Sequence, residues 1–547
     1  MNSKNLILFL MFFGMLISGC TTSNYDVIIK NGTIYDGSGQ APFIADIGIN
    51  ADTIAAIGNL ESASAPSIID AQGMAVSPGF INMLSWGNYS LLNDGRSLSG
   101  IKQGVTLEVF GEGSSMGPVA EGSDSEWTTL GGFLDYITEK GVTPNVASFV
   151  GATTIRTNVL GRNNVKPTDE QLLEMQEMVR EAMREGALGL GTSLIYAPAF
   201  FADTEELIAL SKAAAEYNGR YISHIRSEGD KFLEAVDELL TIATEAEIDA
   251  EFYHLKAAGK RNWDKLSVVV QKIDSLRSQG YDISANMYTY TAASTGLDAT
   301  LPPWSQEGST QDFLNRLNNP EIRSRILREV RSQETDWENF YQLAGEPENI
   351  LLLEFNTDSL KKYTGKTLAE VSAARNTDPV ETILELLEEN RGDIGSVYFL
   401  MSEENVRRQI QLPYMTFGSD ARSVAAEGDV LNSSTHPRTY GNFARLLGKY
   451  VRDEGLISLE EAIYRLTQLP AQNLKIRNRG LLRTGYFADI VIFDPQEVGD
   501  KATFEEPHQY SVGVRDVFVN GTQVLNQGEH TGEMPGQAVR GPGFVGN

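Results

Sequence analysis

The chain has 547 residues, of which 41% are hydrophobic and 22% charged. That is too long for one ordinary domain and enough for a single large α/β barrel with additions. Against 45 Lys and Arg stand 73 Asp and Glu, a formal net charge of −28, which argues against a nucleic-acid partner because such a partner needs clustered basic residues. The acidic residues are spread along helical faces and read as a solvated surface.

Taken in order, the chain starts with a short polar stretch carrying Lys4, then an apolar run from Leu6 to Ile17 closed by Ser18-Gly19-Cys20. This run is short for a bilayer span and reads as a signal peptide over residues 1–19. Its ending resembles a bacterial lipobox. The expectation is lipidation of Cys20, a tether over 20–24, and a protein held in the bacterial cell envelope facing the periplasm, with that lipid as its only membrane contact. Cys20 is the single cysteine, so no intrachain disulfide is possible.

Tyr25 to Lys30 has strand character, Asn31-Gly32 reads as a type I′ hairpin turn, and Thr33 to Asp36 as the returning strand. Ala45–Ile49 and Thr53–Gly58 follow the same alternating habit. Strands of like character recur at Ala488–Pro495 and Val514–Gly521. The two chain ends are therefore expected to form one small β-sandwich, from 25–75 and 475–547, around a central domain over 76–474.

The central region alternates strands with helices. Thr168 with Gln171 forms a capping-box pattern ahead of an apolar face at Leu172, Met175, Val179 and Ala182, and Gly186 ends the helix. Asp203 with Glu206 starts a second helix. Residues 231–246 and 262–278 are further helices, and Tyr281–Tyr288 is the next strand. Consecutive βα units imply a parallel sheet, and their number favours a (β/α)8 barrel. The stretch 336–366 reads as an irregular insertion or lid.

Two of the five histidines hold equivalent places in consecutive units. His224 ends Arg220-Tyr221-Ile222-Ser223-His224, and His254 ends Glu251-Phe252-Tyr253-His254. At the C-terminal end of parallel barrel strands, side chains from different strands converge. Two imidazoles there point to a metal, with zinc the first expectation. A third ligand is required, and the candidates are Glu112 and Asp420, each just past an apolar strand among small residues. His508 and His530 fall in the terminal β region and read as structural or exposed.

The motifs resemble those of the amidohydrolase superfamily, in particular its D-aminoacylase (N-acyl-D-amino-acid deacylase) branch. The matching stretches are Val76-Ser77-Pro78-Gly79-Phe80-Ile81, Gly104-Val105-Thr106 to Gly111, Gly186 to Leu190, Tyr221 to Glu228, His254 to Gly259, Tyr288 to Thr291, Gly418-Ser419-Asp420, His436 to Gly441, and Arg479 to Pro495. The resemblance implies a distorted (β/α)8 barrel with a β-sandwich from the chain ends. It also implies one zinc ion held by His224, His254 and a residue just after the Gly-Val-Thr stretch. That residue is a cysteine in the branch, and here Glu112 falls at its place with one residue deleted. Asp420 matches the catalytic aspartate, while Lys256, Tyr288, His436 and Arg438 match the substrate pocket. Arg226 and Glu228 are expected to orient the ligands. Two departures stand out. The His-x-His that usually follows Pro-Gly-Phe-Ile-Asp is replaced by Leu84 and Trp86, which cannot bind a second zinc, and Asn286 stands where acidic residues are common.

The implied function is zinc-dependent hydrolysis of the amide of N-acyl-D-amino acids or related D-amino-acid amides and dipeptides, small substrates that bear a carboxylate. The competing reading is a catalytically silent, amidohydrolase-fold binding protein. A cyclic-amide or imino hydrolase of the same superfamily is a third, since fold does not fix substrate.

Overall fold

The computed structural model describes residues 24–120 and 122–546, so the signal segment and Cys20 lie outside the described residues. Three parallel strands, Phe80–Asn82, Val105–Phe110 and Asn145–Ser148, form one arc. Six more, Val150–Gly151, Gly189–Ser193, Arg220–His224, Asp249–Phe252, Ile283–Met287 and Met415–Phe417, form the second. Asn145–Ser148 and Val150–Gly151 are halves of one strand broken at Phe149, so the arcs join. The ring closes where Met83 N donates to Phe417 O at 3.1 Å. Ile81, Met83, Leu84, Leu107, Val109, Phe149, Ile222 and Tyr253 fill its interior. This is the (β/α)8 barrel expected from the alternation of elements.

The helices between strands form for local reasons that the sequence displays. Thr168 accepts from Gln171 N while Gln171 reaches back to Thr168 N, and the helix Asp169–Arg184 buries Met175, Val179, Ala182 and Met183. Asp203 accepts from Glu206 N at 2.9 Å and starts Thr204–Ala215. Phe232–Glu245 and Leu266–Ser278 follow without a side-chain cap and are held by buried apolar faces, Val236, Leu239 and Ala243 in the first and Val269, Val270 and Ile273 in the second.

Both chain ends build one nine-stranded sheet beside the barrel. It branches at Val27–Ile34, whose first half pairs with Ser67–Asp70 and whose second half pairs with Ala75–Pro78. The sheet encloses Ile29, Ile34, Ile47, Ile49, Ile54, Ile490, Ile492 and Phe518. The hairpin expected at Asn31-Gly32 does not form. Val27–Ile34 runs straight through these residues as one strand with a bulge, antiparallel to Phe43–Asn50. Asn31 takes a positive φ of 60°, and a Cβ on Gly32 would meet Val76 Cγ2 at 2.5 Å. The pair therefore serves a bulge under a close neighbour rather than a turn.

The region expected to be irregular belongs to a larger insertion between Ile283–Met287 and Met415–Phe417. It has its own three-stranded antiparallel sheet of Ala293–Gly296, Gly395–Tyr398 and Ile350–Leu352, and its own core around Phe313, Leu317, Leu352, Ile383 and Leu387. The stretch 336–366 within it contains the helix Phe340–Ala344 and the strand Ile350–Leu352. Among the described residues, no helix is long and apolar enough to cross a membrane.

Candidate metal centre

Strand geometry sets His224 at the last residue of Arg220–His224 and His254 two residues beyond Asp249–Phe252. Their rings meet edge-on, centroids 4.4 Å apart. Glu112 follows Val105–Phe110, and its Oε1 lies 2.9 Å from His224 Nδ1 and 3.0 Å from His254 Nε2. One ligand atom from each of the three lies within 4.8 Å of the others, and all three residues are buried. Two imidazole nitrogens and one carboxylate oxygen, with a side left for a fourth partner, are a donor set that zinc accepts at a catalytic site. The residues present thus fit the ion that the sequence implied. The alternative third candidate, Asp420, stands beside this cluster and not in it.

The electrostatics differ between the two rings: burial, outweighing the pull of Glu228, holds His224 below the usual range. Burial works against ionisation of Glu112, but the bonds to His224 and His254 hold its carboxyl well below the usual range. Burial and Lys256 push His254 down, yet Glu228 and Glu112 raise it to about 9. A field that retains a proton on an imidazole this way also favours a cation in the proton's place.

Glu228 supplies much of that field. It accepts from Lys256 Nζ at 2.6 and 2.7 Å and lies 3.0 Å from His254 Nδ1. Burial opposes its charge, but Lys256, His224 and His254 bring it down to about 2. Glu228 therefore orients His254, as expected. Arg226 does not share the task, because its guanidinium points away to Glu238 and to the carbonyls of Phe200 and Ala202. Lys256, which could pair either with a substrate carboxylate or with a neighbouring acid, donates to Glu228 at 2.6 Å and lies 2.8 Å from His254 Nδ1. Asn286 carries a role its neutral side chain suits. Its Oδ1 accepts from His254 N at 2.8 Å and its Nδ2 donates to Glu251.

Asp420 has Trp86 Nε1 at 3.1 Å from Oδ1 and Arg438 Nη1 at 2.9 Å from Oδ2. Burial raises its carboxyl above the usual range despite the pull of Arg438 and His254. Both His254 and Asp420 sit at positive φ, 29° and 48°, a conformation few non-glycine residues adopt and one that marks functional positions. The Arg438 guanidinium lies 4.4 Å from the Tyr288 ring centroid, and its buried Nε has no hydrogen-bond partner among the described residues. Tyr288 offers its face to Arg438 and, at 5.7 Å, to Lys256. His436, expected in the substrate pocket, has both ring nitrogens engaged with backbone. Nε2 donates to Ala292 O at 2.9 Å and Nδ1 accepts from Arg438 N at 3.0 Å. It anchors the loop that carries Arg438 and offers no group to a ligand. His508 and His530 lie away from the centre, bonded to Ser433 O and Thr143 Oγ1.

Leu84 and Trp86 occupy the place where the resemblance leads one to expect His-x-His. Leu84 is packed into the barrel interior and Trp86 is turned to Asp420. Among the described residues, Glu112, His224 and His254 form the one cluster able to hold a metal ion.

A barrel with ligands at its strand ends and a β domain from both chain ends defines the amidohydrolase class, and comparison with known proteins agrees. The profile of the Amidohydrolase family matches residues 406–525. A D-aminoacylase of Alcaligenes xylosoxydans xylosoxydans is 31% identical over 94% of this chain and 97% of its own. The crystal structure of N-acyl-D-glutamate deacylase from Bordetella bronchiseptica, with zinc and a phosphonate mimic of the tetrahedral intermediate, superposes with a TM-score of 0.79 at 29% identity, covering 95% of this chain and all of that one. A D-aminoacylase structure described in terms of one-metal activation and second-metal attenuation gives 0.78 at 28% identity, over 94% of this chain and 100% of that one. The chain belongs to the D-aminoacylase family of amidohydrolases, enzymes that hydrolyse amide C–N bonds.

Proposed function

We propose that this protein is a one-zinc hydrolase of N-acyl-D-amino acids or closely related D-amino-acid amides and dipeptides. The observation that carries the proposal is the convergence of Glu112, His224 and His254 beside Asp420 and a partly unpaired, buried Arg438. The relatives named for D-amino-acid substrates supply the substrate class.

Glu112, His224 and His254 would hold the ion. When bound, zinc lowers the pKa of water and polarises the amide carbonyl. Asp420 accepts the proton of the attacking water and returns it to the leaving amine. Its raised pKa suits the second half of that exchange. Trp86 holds one carboxylate oxygen of Asp420 by a hydrogen bond, and the charge of Arg438 lies 2.9 Å from the other. Arg438, with N–H groups beyond those facing Asp420, receives the substrate carboxylate in its planar fork, with Tyr288 beneath it. Glu228 holds Lys256 and the far nitrogen of His254, which sets the ring orientation.

Leu84 and Trp86 leave the neighbouring subsite without donors, so the reading requires that one ion suffices. The one-metal activation described for a family member supports this. Lipid attachment at Cys20 and a site facing the periplasm are part of the same proposal and rest on residues 1–20.

The test is to purify the protein with zinc, measure metal content and assay a panel of N-acetyl-D-amino acids against their L counterparts. About one zinc per chain with turnover of D substrates is expected. Metal-loaded protein that turns over no member of the panel would reject the hydrolase reading. Protein that retains no metal would favour a silent binding protein.

A further inference from the structure

The insertion does more than cover the barrel. Its segment 338–343 reaches the two loops that frame the metal centre. Glu338 Oε2 accepts from the backbone N–H of Glu228 at 2.5 Å and of Gly229 at 3.1 Å. Leu343 lies directly on Gly229 and Gly259, so that a Cβ on either would approach its side chain to 2.8 and 3.0 Å. Glu338 is buried, and its Oε1 has no hydrogen-bond partner among the described residues. The loop it grips presents Glu228, whose carboxylate holds Lys256 Nζ and faces His254 Nδ1. Ala258 N also donates to Glu228 O at 2.7 Å, which ties the second loop to the first.

We propose that Glu338 is a positioning residue of the hydrolytic site: by accepting two backbone N–H groups it fixes the loop of Glu228, and through Glu228 it sets the orientation of Lys256 and His254. This rests on the metal-site reading above. The physical reason is that, among the described residues, Glu228 is the carboxylate that joins Lys256 to the far side of the His254 ring, and a carboxylate is only as well placed as its backbone. Within the loop Ser227-Glu228-Gly229 the internal bond is from Gly229 N to Ser227 Oγ at 3.2 Å, which leaves the Glu228 N–H to Glu338. Glu338 supplies the acceptor for the buried N–H of Glu228 and shares that of Gly229 with Ser227 Oγ, which lies at 3.2 Å, and partners of this kind, one step out from the ligands, change metal affinity about 10–100-fold when lost.

Two variants separate positioning from mere folding. Glu338→Gln keeps an oxygen for both N–H groups, while Glu338→Ala removes the acceptor of the Glu228 N–H and leaves that of Gly229 to Ser227 Oγ alone. Three readouts are taken: amide hydrogen exchange across 224–230 in metal-free protein, zinc affinity by chelator competition, and kcat and KM on the best substrate. The expected result is at least tenfold faster exchange in Glu338→Ala, zinc affinity and kcat each down about 10–100-fold with KM little changed, and Glu338→Gln within about threefold of wild type throughout. Folded Glu338→Ala with wild-type zinc affinity and kcat overturns the proposal. So does a Glu338→Gln variant as impaired as Glu338→Ala, since charge rather than loop placement would then be at work. If wild type neither keeps zinc nor hydrolyses any substrate, the hydrolase reading fails. The exchange data still decide the grip of Glu338 on its loop: faster exchange in Glu338→Ala supports it and unchanged exchange overturns it.

Discussion

The indole N–H of Trp86 donates to Asp420 Oδ1 at 3.1 Å, at the seam where the last strand of the ring closes on the first. At the position where the resemblance leads one to expect a metal-binding histidine, the indole instead holds the carboxylate proposed as acid-base. With Arg438 on the other oxygen, Asp420 is fixed from both sides. Trp86→Phe removes one donor to a charged group, worth about 1.5 kcal/mol, and should lower kcat about tenfold with zinc content unchanged. An unaltered kcat would show that Arg438 alone suffices. Loss of zinc would show that Trp86 supports the metal ligands instead.

The three ligands should fail together. His224→Ala, His254→Ala and Glu112→Ala each remove one of three donors, and each is expected to drop zinc from about one per chain to near zero and to abolish hydrolysis. Metal analysis after dialysis, alongside an unchanged fold by circular dichroism, checks this. A Glu112→Ala protein that keeps its zinc would break the reading, because Glu112 is the one ligand whose residue type departs from the cysteine of the resembling branch.

Asp420→Asn should separate metal binding from chemistry. The amide still accepts from Trp86 but cannot take a proton, so kcat should fall about 10²–10⁴-fold while zinc stays bound. Variant protein that loses zinc and activity in equal measure would place Asp420 among the ligands.

How far these features can be read from sequence depends on whether they are local. The capping box at Thr168 and the cap at Asp203 involve residues three apart, and both helices form where those residues predict. His224 and His254 were legible because barrel geometry makes strand ends converge whatever the intervening residues. Residue type and local context leave Glu112 and Asp420 as equal candidates for the third ligand; the resemblance assigns Glu112, and the folded ring brings Glu112 and not Asp420 into the cluster. The bonds of Glu228 to Lys256, of Trp86 to Asp420 and of Glu338 to the Glu228 loop span 28, 334 and about 110 residues, and no periodicity carries such information. Asn31-Gly32 shows the opposite failure. A strong local turn signal was overridden because Thr33 and Ile34 find parallel partners in Ala75 and Val76.

Glu338 also gives the fold a dependence on pH. Burial, and after it the charge of Glu228, pushes its carboxyl from 4.5 up to about 7. Facing it are the Glu228 carboxylate, the Ser227 hydroxyl and the two backbone N–H groups, none of which is cationic. A group whose folded pKa is raised binds more protons folded than unfolded between the two values. Its stabilisation is therefore complete below about pH 4.5 and is lost as pH rises through about 7, by at most on the order of 3 kcal/mol. Glu338→Gln carries no ionisable proton and escapes the loss. Denaturant unfolding of metal-free wild type and Glu338→Gln at pH 5 and pH 8 should show the variant gaining on wild type at the higher pH. A difference that stays constant between the two would mean that Glu338 ionises as an ordinary carboxylate, and that its buried place beside Glu228 is compensated by a cation.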